Sequence, residues 1–185
     1  MTQYAIVTDL NRCVGCLACA VACKVANNVP IGSFWNKVLR IGPNPSTEGS
    51  DFPNVDMYFL PIQCQHCENP ACVANCPTGA MAKREDNGAV VVDQEVCIGC
   101  GTCVNSCPYE VPQIDETAGV SSKCTMCFDR LDNDHRPWCV QACPAEARIV
   151  GDLNDPESEV SKYIAEKGAQ PYMPENGTTP SVYYV

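Results

Sequence analysis

Short apolar runs separated by polar turns make up this chain, and no run is long. Tyr4 to Thr8 reads as a strand, followed by an Asp9-Leu10-Asn11 turn. Ala18 to Ala26 has helical spacing, which puts Cys19 and Cys23 one turn apart on the same face. Trp35 to Ile41 and Met57 to Pro61 predict two further strands, joined by a Pro/Gly/Ser/Asn-rich loop from Gly42 to Asn54. A hairpin is expected from Met81 to Arg84 and Ala89 to Asp93, turning at Asp86-Asn87-Gly88. Near the C terminus, Asp155 is the expected cap of a helix with Pro156 at its first position, running to about Lys167 and ended by Gly168. Pro171, Pro174 and Pro180 make the remainder extended, with no period that would bury residues 169–185 at home. The Tyr183-Tyr184 pair then reads as an anchor against another chain. The densest apolar stretch, Ala89 to Val92, is strand-sized, so no membrane-spanning segment is expected.

Composition changes this picture. Sixteen of the 185 residues are cysteine, while Phe, Trp and Tyr together make up 7%. That is too little aromatic bulk for an ordinary core, so something besides side-chain packing must hold the fold. A disulfide scaffold is usually short, secreted and preceded by a signal peptide. Met1-Thr2-Gln3-Tyr4 leads straight into Ala5-Ile6-Val7, with no basic region, long apolar run or twin arginine. Metal is favoured over disulfides. The formal net charge of −10 and only two histidines, His66 and His135, make a nucleic-acid partner unsuitable, because phosphate binding needs a basic face.

The cysteines fall into four groups of four: Cys13, Cys16, Cys19, Cys23; Cys64, Cys67, Cys72, Cys76; Cys97, Cys100, Cys103, Cys107; and Cys124, Cys127, Cys139, Cys143. Groups one and three follow C-x2-C-x2-C-x3-C, while group two widens the middle gap to four residues and group four to eleven. A cubane cluster presents four irons at tetrahedral corners, each wanting one thiolate. A tight C-x2-C-x2-C loop wraps three corners, with Gly15, Gly99 and Gly101 letting the backbone approach the sulfides. In the bacterial two-cluster pattern the fourth cysteine ligates the other cluster. Zinc sites use two C-x2-C pairs per metal and rarely this three-plus-one spacing. Thiols this close together also make poor disulfide partners. The cysteines therefore point to [4Fe–4S] clusters.

Strand, cysteine loop, helix, hairpin, cysteine loop, helix is the layout of a small two-cluster ferredoxin. It is expected twice, nested, in an α+β fold with pseudo-twofold symmetry and an extended C-terminal tail. Residues 51–114 form an inserted module; residues 1–50 and 115–152 form an outer one; residues 153–185 add a helix and the tail. Pro144-Ala145-Glu146-Ala147-Arg148-Ile149-Val150 echoes Pro77-Thr78-Gly79-Ala80-Met81. Lys24, Lys123 and Arg148 adjoin the cysteine loops and could raise cluster potentials, or be solvated charges. Trp138 is expected to keep water off a cluster. His66 is expected beside the site or at the surface, not as a ligand. No paired carboxylates or nucleophile suggest substrate chemistry in the chain itself.

Cys13-Val14-Gly15-Cys16, Cys64-Gln65-His66-Cys67, Cys72 to Ala80, Lys123 to Cys127 and Cys139 to Pro144 carry a resemblance. The chain resembles the four-cluster electron-transfer subunits of molybdopterin oxidoreductases, the dimethyl sulfoxide reductase superfamily. The resemblance implies four [4Fe–4S] clusters, one on Cys13, Cys16, Cys19 and Cys143 and its neighbour on Cys124, Cys127, Cys139 and Cys23. It implies a third on Cys97, Cys100, Cys103 and Cys76, and a fourth on Cys64, Cys67, Cys72 and Cys107. Some relatives replace a third-group cysteine with tryptophan and hold a three-iron cluster; Cys100 is present here. The implied partner is a molybdopterin-containing catalytic subunit, with a membrane quinone-reactive subunit or soluble electron donor at the other end. The same pattern also suits a formate dehydrogenase or hydrogenase subunit, or a free-standing polyferredoxin. The compartment stays open between the cytoplasm and export with a partner.

Overall fold

A computed structural model describes residues 2–45 and 55–185. Its frame is a four-stranded sheet. β1 (Tyr4–Thr8) pairs antiparallel with β8 (Arg148–Asp152) on one side and parallel with β10 (Val182–Tyr184) on the other. β9 (Gln170–Pro171) closes the far edge against β10. Ala5, Ile6 and Val7 are all buried, as a strand flanked by neighbours on both edges requires. α6 (Glu159–Lys167) covers one face, packing Val160 against Ala5, Val7 and Ile149.

The cysteine-bearing elements sit on the other side. α1 (Ala18–Ala26) packs on α5 (Trp138–Gln141), and α2 (Ala71–Ala74) packs on α3 (Thr102–Ser106). Three two-stranded hairpins join them: β2 (Asn36–Pro45) with β3 (Val55–Gln63), β4 (Met81–Lys83) with β5 (Val90–Val92), and β6 (Gln113–Asp115) with β7 (Val120–Ser122). A short helix, α4 (Phe128–Leu131), follows Cys127. The fold is α+β, built of short elements.

Three expectations change. Gly42 to Pro45 belongs to β2 rather than a loop, and the pairing with β3 shifts register between Ile41 and Asn44. Gly42 has φ 94, and a side chain there would run into the Asp56 carbonyl. Its turn chemistry therefore serves a strand irregularity. The rest of the expected loop, 46–54, lies outside the described residues. The cap of α6 is Ser158, whose hydroxyl accepts from the Ser161 amide at 3.1 Å; Asp155 instead caps the preceding turn, accepting from the Glu157 amide at 2.9 Å. The tail is also not an outward arm. Val182 and Tyr184 are buried in the central sheet, and the Tyr184 hydroxyl donates to the Pro61 carbonyl at 2.8 Å. Sequence periodicity misses it because three residues of strand pairing with β1, far away along the sequence, show no local pattern.

Candidate metal centres

The first C-x2-C segment of each of the four groups bends the same way. The residue just before the second cysteine is left-handed in each: Gly15 at φ 66, His66 at 43, Gly99 at 65 and Met126 at 63. At Gly15 a side chain would meet the Phe59 ring, and at Gly99 the Gly119 carbonyl. His66 and Met126 adopt the conformation despite their side chains, held there by complete burial.

The bends turn the thiols onto shared cavities. Cys13, Cys16, Cys19 and Cys143 line one, with Val38, Ala147 and Arg148 in its wall. Cys64, Cys67, Cys72 and Cys107 line another, closed by Tyr109 and Thr178. A third is lined by Cys76, Cys97, Cys100 and Cys103. Cys23, Cys124, Cys127 and Cys139 form a fourth set, all buried and close enough to perturb one another electrostatically. Every set takes three cysteines from one sequence group and one from another, and all sixteen thiols are free.

This geometry tests which metal fits. One zinc ion would draw its sulfurs to within roughly 4 Å of one another, given Zn–S bonds of about 2.3 Å. In three of these sets the thiols instead surround a cavity. Among the described residues no three His, Cys, Asp or Glu side chains converge as a single ion requires. The donor sets suit a polynuclear iron–sulfur group with one thiolate per corner.

Burial pushes the Cys23 and Cys72 thiols up to about 12, with neighbouring cysteines adding to the effect, and Cys67 and Cys127 up to about 11. Metal must therefore displace protons from these sulfurs as it binds. Cys76 is held low mainly by the Met81 amide, and Cys100 mainly by the Thr102 hydroxyl. Amide N–H groups of Met81, Ser121, Met126 and Ala147 donate to Cys76, Cys97, Cys124 and Cys143 sulfurs at 3.3–3.4 Å. Such bonds favour the more negative state of a sulfur-ligated centre.

The singled-out side chains divide clearly. Lys24 donates to the Pro30 and Ser33 carbonyls at 2.7 and 2.8 Å and covers the Phe34 ring, tying α1 to the loop behind it. Lys123 is buried and donates to the Val90 and Cys124 carbonyls. His66 is fully buried, not superficial, and its Nδ1 accepts from the Val90 amide at 3.0 Å. Burial, then Lys123, holds its pKa well below the usual histidine value, so it is neutral. Trp138 remains partly exposed, with the Arg130 guanidinium 3.8 Å over its ring. Thr178 in the wall of a cysteine cavity carries no sequence signal, because its partner Tyr109 (2.6 Å) lies 69 residues away.

Residues 55–153 match the 4Fe-4S dicluster domain family, and residues 10–26 a 4Fe-4S binding domain. The whole sequence aligns with a sulfite dehydrogenase subunit of Allochromatium vinosum at 44% identity, covering 83% of that relative. The protein belongs to the iron–sulfur subunits of the molybdopterin oxidoreductase superfamily. Within this family it is also 40% identical to a tetrathionate reductase subunit of Salmonella typhimurium, over 99% of its own length and 72% of the relative. With the corresponding polypeptide of the anaerobic dimethyl sulfoxide reductase of Escherichia coli it shares 42% identity, over 83% of its own length and 76% of the relative. As an iron–sulfur subunit of this family it carries [4Fe–4S] clusters, and its sixteen cysteines are consistent with four. Among the described residues, no helix is long and apolar enough to cross a membrane.

Proposed function

We propose that this subunit conducts electrons through four [4Fe–4S] clusters between a molybdopterin-bearing catalytic subunit and a redox partner, without substrate chemistry of its own. Each cluster takes one set of four cysteines: Cys13, Cys16, Cys19, Cys143; Cys23, Cys124, Cys127, Cys139; Cys64, Cys67, Cys72, Cys107; and Cys76, Cys97, Cys100, Cys103. The observation that carries this reading is that the sets form a row. Cys19 and Cys139 share one apolar cluster, Cys64 and Cys124 a second, and Cys72 and Cys103 a third. Each apolar cluster links consecutive sets in the order just given. The exposed thiols, Cys16 and Cys100, belong to the two end sets.

The modules follow the same logic. The α1–α5 pair holds the outer module, residues 1–50 with 115–152, and the α2–α3 pair holds the inserted one, residues 51–114. Residues 153–185 complete the outer module's sheet. Relatives named for sulfite, tetrathionate and dimethyl sulfoxide share this subunit type, so the substrate belongs to the catalytic partner. Exposed Val14, Leu17, Val21 and Phe34 surround the Cys16 end and suit a permanent apolar interface with that partner.

Anaerobically purified protein should hold about sixteen irons and as much acid-labile sulfide per chain. It should copurify with a molybdenum- or tungsten-containing polypeptide. Stoichiometric zinc with little iron would overturn the cluster reading, and purification alone with activity only toward free acceptors would overturn the subunit reading.

A further inference from the structure

Arg148 is buried, at 4% exposure, and among the described residues no carboxylate pairs with it. Its Nη2 donates to Gln63 Oε1 at 2.7 Å, while Nε and Nη1 are buried without a partner. A guanidinium left this way in a protein interior is strongly destabilising unless negative charge lies nearby. Neither Gln63 nor Thr8, which faces Arg148 across the β1–β8 pairing, supplies any.

The backbone brings the side chain to that place. After Cys143 the backbone turns back, the Ala147 amide donates to the Cys143 sulfur at 3.3 Å, and the next residue, Arg148, enters the wall of the Cys13/Cys16/Cys19/Cys143 cavity. The groups acting on the guanidinium include Cys139, Cys19 and Cys124. Cys19 belongs to the first set of the row, and Cys139 and Cys124 belong to the second. Arg148 thus sits between two sets.

We propose that Arg148 is the shared counter-charge of the first two clusters, raising the reduction potential of both. The inference rests on the four-cluster reading above. An oxidised cubane with its four thiolates carries about −2, and the electron it accepts from a neighbouring centre makes it more negative. A fixed cation in a low-dielectric site favours that reduced form. Arg148 therefore acts as a positioning charge, and touches neither substrate nor the electron's donor.

The test is an EPR-monitored redox titration of the anaerobically purified complex, comparing wild type with Arg148→Met and Arg148→Lys. In Arg148→Met the one-electron reduction equilibrium should fall at least tenfold at two of the four clusters, a drop of about 59 mV per tenfold. The remaining clusters should be unmoved, and Arg148→Lys, which keeps the charge, should stay near wild type. A fully loaded Arg148→Met protein with four unchanged potentials would overturn the proposal. Should Arg148→Met fail to hold iron, Arg148→Lys decides. Full loading at native potentials supports the counter-charge; failure there too shows that the planar side chain is needed for shape rather than charge, which overturns it. Iron content and copurification of the wild-type protein test the four-cluster reading separately.

Discussion

Gly15, His66, Gly99 and Met126 share one backbone conformation and almost no side-chain chemistry. The glycines advertise their role, whereas a histidine and a methionine at φ 43 and 63 do not, because tertiary packing imposes the bend on them. Gly99 allows a direct experiment. Gly99→Ala adds a clash with the Gly119 carbonyl to left-handed strain and should cost about 1–3 kcal/mol or more, read as earlier loss of cluster absorbance in urea. Gly79→Ala, at φ 71 with open space around it, should incur only the strain, about 1 kcal/mol. If the two variants melt alike, the contact with Gly119 is not decisive. A second substitution concerns ligand sharing. Cys143→Ser should alter the cluster on Cys13, Cys16 and Cys19 and leave the one on Cys124, Cys127 and Cys139 intact, as seen by EPR.

At the scale of elements, the helix and strand over Ala18 to Ala26 and Tyr4 to Thr8 follow directly from their apolar spacing. The C-terminal segment does not. It contributes β10 to the central sheet and Thr178 to the wall of the Cys64/Cys67/Cys72/Cys107 cavity, where its hydroxyl bonds that of Tyr109 at 2.6 Å. Deleting residues 169–185 should therefore cost iron. About a quarter of the cluster content, one of four, is expected to go first, with loss of thermal stability. Full iron retention in the truncated protein, with only partner binding lost, would restore the role of the tail as an external contact.

The whole molecule depends on its metal to an unusual degree. Among the described residues, three of the four apolar clusters include cysteines, and only the one between the central sheet and α6 has none. Remove the iron–sulfur groups and the remaining core is thiols around voids, which have no attractive contacts to replace them. Chelating the iron under reducing conditions should abolish the cooperative unfolding transition, measured by circular dichroism during heating. A metal-free polypeptide that still melts sharply near the native temperature would contradict this. The interface belongs to the same scale. Val21→Glu with Phe34→Glu should sharply reduce copurification with the catalytic subunit while leaving iron content unchanged, since both side chains are exposed and neither lines the cysteine cavity.

The cysteine spacing by itself determined the chemical class of this protein. Four thiolates per group at those intervals admit few metals, and that constraint is local along the sequence. Tertiary structure decided which sulfurs meet, because each set completes itself with a cysteine from another group. It also decided the row of the four sets, the inward fate of the tail and the isolation of Arg148. These depend on contacts such as Gln63 with Arg148, 85 positions apart, and Pro61 with Tyr184, 123 apart, where no local pattern of polarity can register the pairing.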